Sequence, residues 1–387
     1  MKVLIIGAGA VGGVLCKLLV KEKRVSQIFC CDIKKRTFNN KIIFKRLDIS
    51  NKNKLLKFLK EIRPDVVINA VLPVLNTLIL ECCLKSKTNY LDMAAFWDIN
   101  QKEKAISPYK FEQLDFHKKF KEKNIVGLID AGVSPGITNL LAREASEQLD
   151  IVDHIKIRLI EDTRSNKLLF SWSKEWLLDE IEWKPLIYEN KKFKQVNNFS
   201  GEEEFVFPHP FGKRKVFLLA QDEVGSIPLY INVKNVDLKA FDNQEDVAKF
   251  LFKMGLTSHK KIKIKGVEIS PVEFLCKLLP GVPDNFKDKE FKNAQFVLVV
   301  EAIGKKKGKK RIIRYSAIFQ EQREINKLKL NASFISYPTA LSAKLFILSI
   351  PHIKNKGVFP PEALDKEVRE EIIKELKKYC SFSFEIK

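Results

Sequence analysis

The segment that decides the fold is Met1-Lys-Val-Leu-Ile-Ile-Gly-Ala-Gly-Ala-Val-Gly12. Its branched apolar run, residues 3–6, predicts a buried β-strand, and apolar residues at helical spacing follow the glycines. In a dinucleotide-binding turn the first glycine permits a tight bend, the second lets the backbone approach a pyrophosphate, and the third lets the helix pack close to the strand. We therefore expect the phosphates of a cofactor to lie at the helix N-terminus, bound by Gly7, Gly9, Ala10, Val11 and Gly12.

The same apolar opening could be a cleaved signal peptide, which requires an unbroken apolar core and a cleavage site of small residues. Lys17 interrupts the apolar run. The strand-turn-helix interpretation is therefore favoured.

A carboxylate stands where such a cofactor would place its adenosine ribose. The second predicted strand, residues 27–31, ends in Asp32, twenty positions after Gly12, where a carboxylate can accept hydrogen bonds from both ribose hydroxyls. The basic segment Lys34-Lys-Arg36 could instead accommodate the 2′-phosphate of NADP. Because Asp32 would repel that phosphate from closer range, we predict NAD as the cofactor, with NADP possible.

The composition is that of a globular, intracellular protein. The 387 residues are enough for two or three domains, and 45% of them are hydrophobic. No apolar stretch is long enough to cross a bilayer. The seven cysteines include two adjacent pairs on predicted elements, a usage typical of the reduced cytoplasm. The five histidines are scattered without the spacing of metal ligands, so no metal site is predicted.

The formal net charge of +21 raises nucleic acid or an anionic membrane as a partner. The surplus consists mostly of lysines spread along the whole chain, as a compositional bias of the source would produce. The densest cluster, residues 305–311, lies between two alternating apolar runs and predicts a solvated hairpin turn. We therefore expect no nucleic-acid and no membrane partner.

Strands and helices alternate over the first third of the chain. Further strands are predicted at 42–47, 65–69, 89–91 and 125–129, and helices at 51–62, 73–85 and 108–121. This order predicts an α/β fold with a Rossmann-type, doubly wound parallel sheet.

Polar residues follow several of these strands at their carboxyl ends, where open α/β sheets bind ligands. Asp92 and Asp130 follow two strands that we expect to be neighbours. For Asp48, capping of the next helix is an equal alternative to a role in binding. The residues at these strand ends that we expect to contact the cofactor are Asp48, Ile49, Asn69, Ala70 and Val71.

A glycine- and proline-bearing turn, Asp130-Ala-Gly-Val-Ser-Pro-Gly-Ile-Thr-Asn139, opens a helix that is predicted to run to Gln148. Its backbone N–H groups and the hydroxyls of Ser134 and Thr138 are suited to an anionic group. Beyond it the pattern changes to a strand at 155–160, alternating runs at 205–232 and 296–334, and helices at 174–181 and 244–254. These runs predict an α+β domain with a mainly antiparallel sheet, followed by an apolar helix after Ser336 and a charged helix at 366–379.

Taken together, several motifs resemble the saccharopine dehydrogenase family, which includes saccharopine reductases, lysine 6-dehydrogenases and carboxynorspermidine dehydrogenases. The resemblance rests on the glycine turn, Ile68-Asn-Ala70 with Pro73 and Asn76, Asn89-Tyr-Leu-Asp92, Ala131 to Asn139, Phe170-Ser-Trp-Ser173 and Gly357-Val-Phe-Pro-Pro-Glu362. It implies a Rossmann domain at 1–130, an inserted substrate and dimerisation domain at 131–335, and a segment at 336–387 that returns to the first domain. A homodimer is therefore expected.

The resemblance also implies an oxidoreductase that transfers hydride between NAD(P) and the CH–NH carbon of an amino acid or its secondary-amine adduct, of the lysine, saccharopine or carboxyspermidine type. The longer turn at 130–136 and Thr339-Ala340, where many members have Thr-Gly, depart from the family pattern and leave the substrate open.

This chemistry needs a base for the amine proton and, where an imine is hydrolysed, a base for water. Asp92 and Asp130 are the candidates, although a helix-capping or turn-forming role is at least as good an explanation for either alone. We expect the nicotinamide near Asp92 or Ser134 and the substrate at Ser134, Pro135, Gly136 and Trp172. Cations for a substrate carboxylate, which the sequence does not rank, are Arg143, Arg164 and Lys174.

Two other functions are compatible with the same motifs. A regulatory protein could retain the glycine turn and bind NAD without turnover. A nucleic-acid-binding protein could use the net positive charge, and its affinity would then fall steeply with salt.

Overall fold

A computed structural model of the chain describes residues 1–96, 111–165, 169–282, 286, 291 and 293–387. It divides into two compact units, of which the first comprises residues 1–144 and 336–379 and the second comprises residues 145–335 and 380–387. The helix predicted at 108–121 begins outside the described residues. In the described part of the chain, no helix combines the length and the apolar character needed to cross a membrane.

The first part of the chain alternates strands and helices. Its strands are β1 (Lys2–Ile6), β2 (Gln27–Asp32), β3 (Ile42–Arg46), β4 (Val66–Asn69), β5 (Asn89–Leu91) and β6 (Val126–Leu128). Its helices are α1 (Gly12–Leu19), α2 (Lys52–Ile62), α3 (Asn76–Ser86), α4 (His117–Glu122) and α5 (Ile137–Ser146).

The middle of the chain is richer in strands. These are β7 (Ile151–Asp162), β8 (Leu186–Glu189), β9 (Lys192–Gln195), β10 (Glu203–Val206), β11 (Lys213–Leu218), β12 (Val233–Asp242), β13 (Ile262–Ile264), β14 (Val267–Ile269), β15 (Gln295–Lys306) and β16 (Lys309–Ile318). The helices are α6 (Lys174–Glu182), α7 (Glu223–Tyr230), α8 (Glu245–Lys253), α9 (Pro271–Leu278) and α10 (Gln322–Lys327). The chain ends with α11 (Ser336–Ser349), β17 (Gly357–Phe359), α12 (Lys366–Leu376) and β18 (Ser381–Ile386).

The sheet of the first unit has the strand order β17-β6-β5-β4-β1-β2-β3 in the described residues, and its pairs are parallel. The prediction of a doubly wound parallel sheet is therefore confirmed. Val3, Leu4, Ile5 and Ile6 of β1 are at most 1% exposed, because β1 lies in the middle of the sheet with helices covering it. The strand order reverses beside β1, and the carboxyl end of β1 carries the glycine turn.

The larger sheet of the second unit has the path β10-β11-β12-β7-β15-β16-β18. The pair of β7 and β12 is parallel, whereas the other pairs along this path are antiparallel, which confirms the prediction of a mainly antiparallel sheet. Strand β18 pairs with β16, so residues 380–387 belong to the second unit. Residues 131–144 belong to the first unit, and these two assignments differ from the boundaries drawn from the sequence.

Two of the alternating runs contain helices that the sequence patterns did not reveal. Helix α7 occupies part of the run 205–232, and α10 occupies part of the run 296–334. In α7, Val224 and Ile227 are both fully buried three positions apart, which is a helical period. The prediction of continuous strands was wrong there, because short apolar runs do not distinguish the two periods.

The lysine cluster forms the hairpin turn that the sequence predicts. Strands β15 and β16 pair up to Lys306 and Lys309, and the turn residues Lys307 and Gly308 have φ values of 49° and 75°. Two such residues with positive φ are typical of a two-residue type I′ turn. The Lys306 ammonium lies 2.8 Å from a carboxylate oxygen of Asp150, in an exposed ion pair of small energetic value.

Candidate active site

The glycine turn closes through two contacts that exclude side chains. Gly7 has a φ of +100°, and a Cβ atom there would lie 2.6 Å from the carbonyl oxygen of Ala70. A Cβ atom on Gly12 would lie 2.0 Å from the carbonyl oxygen of Gly7. Gly9, in contrast, is exposed, and apart from its two chain neighbours no other described residue has a heavy atom within 4 Å of the position of its Cβ. The open surface above Gly9 and the first turn of α1 therefore fit a pyrophosphate that approaches the backbone.

Asp32 ties this turn to the end of β2. One carboxylate oxygen accepts a hydrogen bond of 2.8 Å from the Ala8 N–H, and the other accepts one of 2.8 Å from the Lys34 N–H. Each oxygen has a second lone pair, so the arrangement still fits two ribose hydroxyls. Sequence reasoning missed Arg46, whose Nε donates to the Ile33 carbonyl at 2.9 Å and places a cation beside the same corner.

Asp48 is exposed and forms its own turn instead of capping α2. One of its oxygens accepts hydrogen bonds from the Ser50 N–H at 3.0 Å and from the Ser50 hydroxyl at 2.6 Å. These bonds lower the pKa of Asp48. Helix α2 is capped by Asn51, whose side chain accepts from the Lys54 N–H at 3.1 Å. The capping alternative for Asp48 was therefore wrong, whereas Ile49, the next residue, is buried.

A buried amide network fixes the carboxyl end of β4. Asn69 donates to the side-chain oxygen of Asn76 at 2.6 Å and accepts from the Val71 N–H at 3.0 Å. Asn76 also accepts from the Tyr90 hydroxyl at 3.2 Å and donates to the Ala94 carbonyl at 2.9 Å. Because both asparagines are almost fully buried, these bonds are needed to offset their desolvation. The network holds residues 70–71 against Gly7, where a cofactor would cross the sheet.

Asp92 and Asp130 are joined at the ends of β5 and β6. One oxygen of Asp92 accepts from the Asp130 N–H at 2.9 Å, and the other accepts from the Gln113 side chain at 3.4 Å. Asp92 is 1% exposed and Asp130 is 0% exposed, and Asp130 has a φ of +55°. Burial raises the pKa of Asp92 to about 7, although the hydrogen bonds from Asp130, Tyr90 and Gln113 oppose this rise. The geometry combines a turn-forming carboxylate with one that can exchange a proton near neutral pH.

The turn at 131–136 folds back on itself. The Gly132 N–H donates to the Pro135 carbonyl at 3.0 Å, and the Gly136 N–H donates to the Asn139 side chain at 2.9 Å. A Cβ atom on Gly136 would lie 2.1 Å from the Gly132 carbonyl oxygen. Ser134 is the partly exposed residue of this turn, whereas Thr138 is fully buried. Of the two hydroxyls suggested for an anionic group, that of Ser134 is therefore the more open one.

The remaining candidates lie on both units. Trp172 is partly exposed in the second unit and precedes α6, which Ser173 caps by accepting from the Trp176 N–H at 3.3 Å. Arg164 lies 3.5 Å from a carboxylate oxygen of Asp162, and Lys174 donates to the Leu279 carbonyl at 3.0 Å. Arg143 is on α5. Arg164 and Lys174 thus each have a partner within the second unit.

A doubly wound parallel sheet with a glycine turn beside its switch point, and a carboxylate at the end of the next strand, is typical of a dinucleotide-binding protein. The family model described as saccharopine dehydrogenase NADP binding domain matches residues 3–128, and the one described as saccharopine dehydrogenase C-terminal domain matches residues 132–381. The chain belongs to the saccharopine dehydrogenase family. It is an NAD(P)-dependent oxidoreductase, as the resemblance implied.

Among curated proteins, the chain is similar to a carboxynorspermidine synthase of Vibrio alginolyticus, at 29% identity over 81% of this chain and 76% of that protein. It is also similar to a carboxyaminopropylagmatine dehydrogenase of Synechocystis, at 24% identity over 72% of each chain.

Two solved structures share the fold. The saccharopine dehydrogenase (L-Glu forming) of Saccharomyces cerevisiae has a TM-score of 0.69 at 16% identity, with 99% of each chain covered. The homospermidine synthase of Legionella pneumophila, solved in complex with NAD, has a TM-score of 0.71 at 14% identity, with 99% of this chain and 91% of that chain covered.

Gly12 and Gly9 of the turn offer a matched pair of variants, because only Gly12 lies in a close backbone contact. Gly12→Ala forces a methyl group against the Gly7 carbonyl, so we expect it to destabilise the protein by about 3 kcal/mol or to prevent folding. Gly9→Ala adds a methyl group to open space, so the free energy of unfolding should change by less than about 1 kcal/mol. Its affinity for the cofactor should nevertheless fall about tenfold or more, because the methyl group occupies the approach to the phosphates.

Thermal unfolding followed by circular dichroism, and fluorescence titration with the reduced cofactor, would measure the two effects. A Gly12→Ala variant that unfolds at the same temperature as the unmodified protein would contradict the packing argument. Unchanged cofactor affinity in Gly9→Ala would contradict the placement of the phosphates.

Proposed function

We propose that this oxidoreductase acts on a carboxylated amine, in which the nitrogen of an amino acid carries a second aliphatic amine chain. The observation that carries the proposal is the buried pair of Asp92 and Asp130, because a C–N substrate requires proton transfer at its nitrogen. The names of the two curated relatives, a carboxynorspermidine synthase and a carboxyaminopropylagmatine dehydrogenase, support this class of substrate.

The protein is also proposed to be cytoplasmic, because free cysteine thiols such as those of its first unit are typical of a reducing compartment.

The residues proposed to bind the cofactor are Gly7, Gly9, Ala10, Val11, Gly12, Asp32, Asp48, Ile49, Asn69, Ala70 and Val71. When bound, the nicotinamide supplies the acceptor or donor of hydride. Ser134, Pro135, Gly136 and Trp172 are proposed to contact the substrate. The partial exposure of Ser134 in an otherwise buried turn supports its part in this set.

Asp92 and Asp130 are proposed as the groups that hold the proton of the substrate nitrogen. An amine must be neutral before the C–N carbon is oxidised, so its proton must pass to a base. With its pKa raised to about 7, the Asp92 carboxyl is partly protonated and partly ionised near neutrality and can both accept and return a proton. A carboxyl with an ordinary pKa would be a much weaker base.

We predict that the unmodified protein reduces its cofactor with carboxylated polyamines or saccharopine. Asp92→Asn and Asp130→Asn should each lower kcat/KM by about a hundredfold, the usual contribution of an acid-base group. The measurement is cofactor reduction followed by absorbance, with Asp115→Asn, an exposed acid on the short 3-10 helix Glu112–Phe116, as the control.

The pH profile separates proton transfer from a purely structural role. Oxidation requires the ionised form of Asp92, so kcat/KM should rise as the pH increases through about 7, and this limb should disappear in Asp92→Asn. Losses smaller than about tenfold in both variants would rule out the catalytic assignment. Cofactor binding without turnover of any such amine would instead favour the regulatory function.

The cofactor preference is proposed to follow from Asp32. Its charge should disfavour a 2′-phosphate, so kcat/KM should be higher with NAD than with NADP, and Asp32→Ser should narrow or invert the difference. Arg36→Ser, which alters an exposed cation of the adjoining segment, serves as the comparison. Comparable binding of both cofactors to the unmodified protein would show that Lys34, Lys35, Arg36 or Arg46 dominates.

We also propose that the protein is a homodimer. Strand β18 lies at the end of the path of strands in the larger sheet, with Phe384 and Ile386 45% and 57% exposed. An apolar edge strand is commonly covered by another chain. Light scattering should therefore give twice the 44.6 kDa mass of one chain, and Phe384→Ser should shift the protein towards the monomer. A monomeric unmodified protein would disprove this part of the proposal.

A further inference from the structure

The second unit contains a pocket of about 930 Å³, including its open mouth. One face of the larger sheet forms its floor, and helices α6 and α8 form its walls. Most of the lining is apolar, as Phe170, Leu178, Phe199, Leu219 and Leu251 illustrate. Four acids interrupt this lining, namely Glu161, Glu180, Asp242 and Glu245.

Two of these acids are neighbours on the floor of the pocket. Glu161 on β7 lies directly opposite Asp242 on β12, so that both side chains project from the same face of the sheet. Asp242 accepts from the Gln244 N–H at 2.8 Å, whereas the Glu161 carboxylate has no hydrogen bond or ion pair with any described residue. Burial, and then the charge of Asp242, raise the pKa of Glu161 to about 8. Burial is also the main reason why the pKa of Asp242 is raised to about 6.

Glu180 adds a third carboxylate from α6. Its side chain is buried, with 9% of the residue exposed. One oxygen accepts from the Trp176 indole at 3.0 Å and from the Gln221 amide at 2.9 Å. The other oxygen accepts no hydrogen bond from any residue that the structure describes, and Glu180 is one of the residues that line the pocket. Burial, together with the charge of Glu161, raises the pKa of Glu180 as well.

Uncompensated carboxylates in an apolar pocket are unfavourable, and apolar residues of similar size would stabilise the unliganded protein. Lys249 forms an ion pair with Glu245 and lies 4.0 Å from the centre of the Phe217 ring, so it compensates the acid at the rim. Glu161, Glu180 and Asp242 have no such cation within the described residues. When these three carboxyl groups are ionised, a positively charged ligand would therefore compensate their charge.

The lining indicates an organic cation. Among the described residues, no group of three or more acidic, histidine or cysteine side chains is arranged to hold a metal ion. Phe170, Phe199 and Trp183 offer aromatic surface to an alkyl chain and to a cation above a ring. An alkyl ammonium combines these two requirements.

We propose that this pocket binds an aliphatic ammonium chain, with Glu161, Asp242 and Glu180 as its counter-ions. The choice of an ammonium ligand rests on the proposed function in one respect, since an aliphatic ammonium is also the charged group of the proposed amine substrates. As a statement about binding, the proposal can be tested without turnover.

The test is calorimetric titration of the full-length protein with 1,4-diaminobutane, and with 1,4-butanediol as an uncharged probe of the same length. The diamine should bind and the diol should not. Glu161→Gln and Asp242→Asn should each weaken diamine binding about tenfold or more, because each removes a charged partner. Asp246→Asn, which alters an exposed acid on α8, should leave the affinity unchanged within about twofold.

The affinity should also rise with pH between about 6 and 8, because the carboxylates must ionise to pair with an ammonium that stays charged. Several charged groups act on this ionisation, namely Glu161 and Asp162 on β7, Asp242 on β12, Glu180 on α6, Asp222 before α7, and Glu245 and Lys249 on α8. Protons should be released on binding, which titrations in buffers of different ionisation enthalpy measure.

Thermal unfolding gives an independent readout. Above the Glu161 pKa of about 8, where this carboxyl is ionised, Glu161→Gln removes a charge beside Asp242. At such a pH the unliganded variant should unfold at a higher temperature than the unmodified protein, whereas loss of a structural contact would lower it. The proposal is overturned if Glu161→Gln keeps its diamine affinity within twofold, if the diol binds as well as the diamine, or if the variant is less stable. A failed proposed function would appear differently, as diamine binding without cofactor reduction by any carboxylated amine.

Discussion

The close approach of Gly12 to the carbonyl oxygen of Gly7 is the constraint on which the first unit depends. A side-chain methyl group on Gly12 would overlap this oxygen, because its Cβ atom would lie only 2.0 Å away. Because the helix backbone can lie so near the strand, α1 begins directly above the carboxyl end of β1, where the strand order reverses. Asp32 then fastens the turn to β2 through the Ala8 N–H. The shape of the proposed phosphate-binding surface is therefore set by backbone packing, which is possible because Gly7 and Gly12 have no side chains.

The other strand ends of the first unit are held by polar groups in apolar surroundings. Asn69 and Asn76 bind each other, and Asp92 binds the Asp130 N–H and the Gln113 amide. The side-chain oxygens of Asn69, Asn76 and Asp92 each accept from a backbone or side-chain donor, which offsets their desolvation. Such networks have few alternative arrangements, so they fix the positions of residues 70–71 and of the turn that follows β6.

The parts of this arrangement that could be predicted are those encoded locally. The glycine spacing, the apolar strand before it and Asp32 after the next strand belong to one continuous stretch, so the parallel sheet and the glycine turn followed from the sequence. Asp48 shows the limit of this reasoning. Its carboxylate stands two positions from the Ser50 N–H and three from Asn51, and the sequence does not decide which of the two caps α2. The contacts of Asn76 with Tyr90 and of Gln113 with Asp92 depend on how distant elements pack. No spacing in the sequence carries that information.

Glu161 in the pocket of the second unit differs from Asp92 in how its carboxylate is compensated. The Asp92 carboxylate has donors fixed by the fold, so its proton affinity is set within the protein and suits a group that accepts and returns one proton. Glu161 lies opposite another acid because of the register of β7 and β12, and no described residue donates to it. In the unliganded protein it can avoid an uncompensated charge only by holding a proton, which is why its pKa is raised. A cation that enters the pocket replaces that proton. The raised pKa values of Asp92 and Glu161 therefore serve different proposed functions. Asp92 would transfer a proton to and from the substrate, whereas Glu161 would lose its proton when a cationic ligand binds.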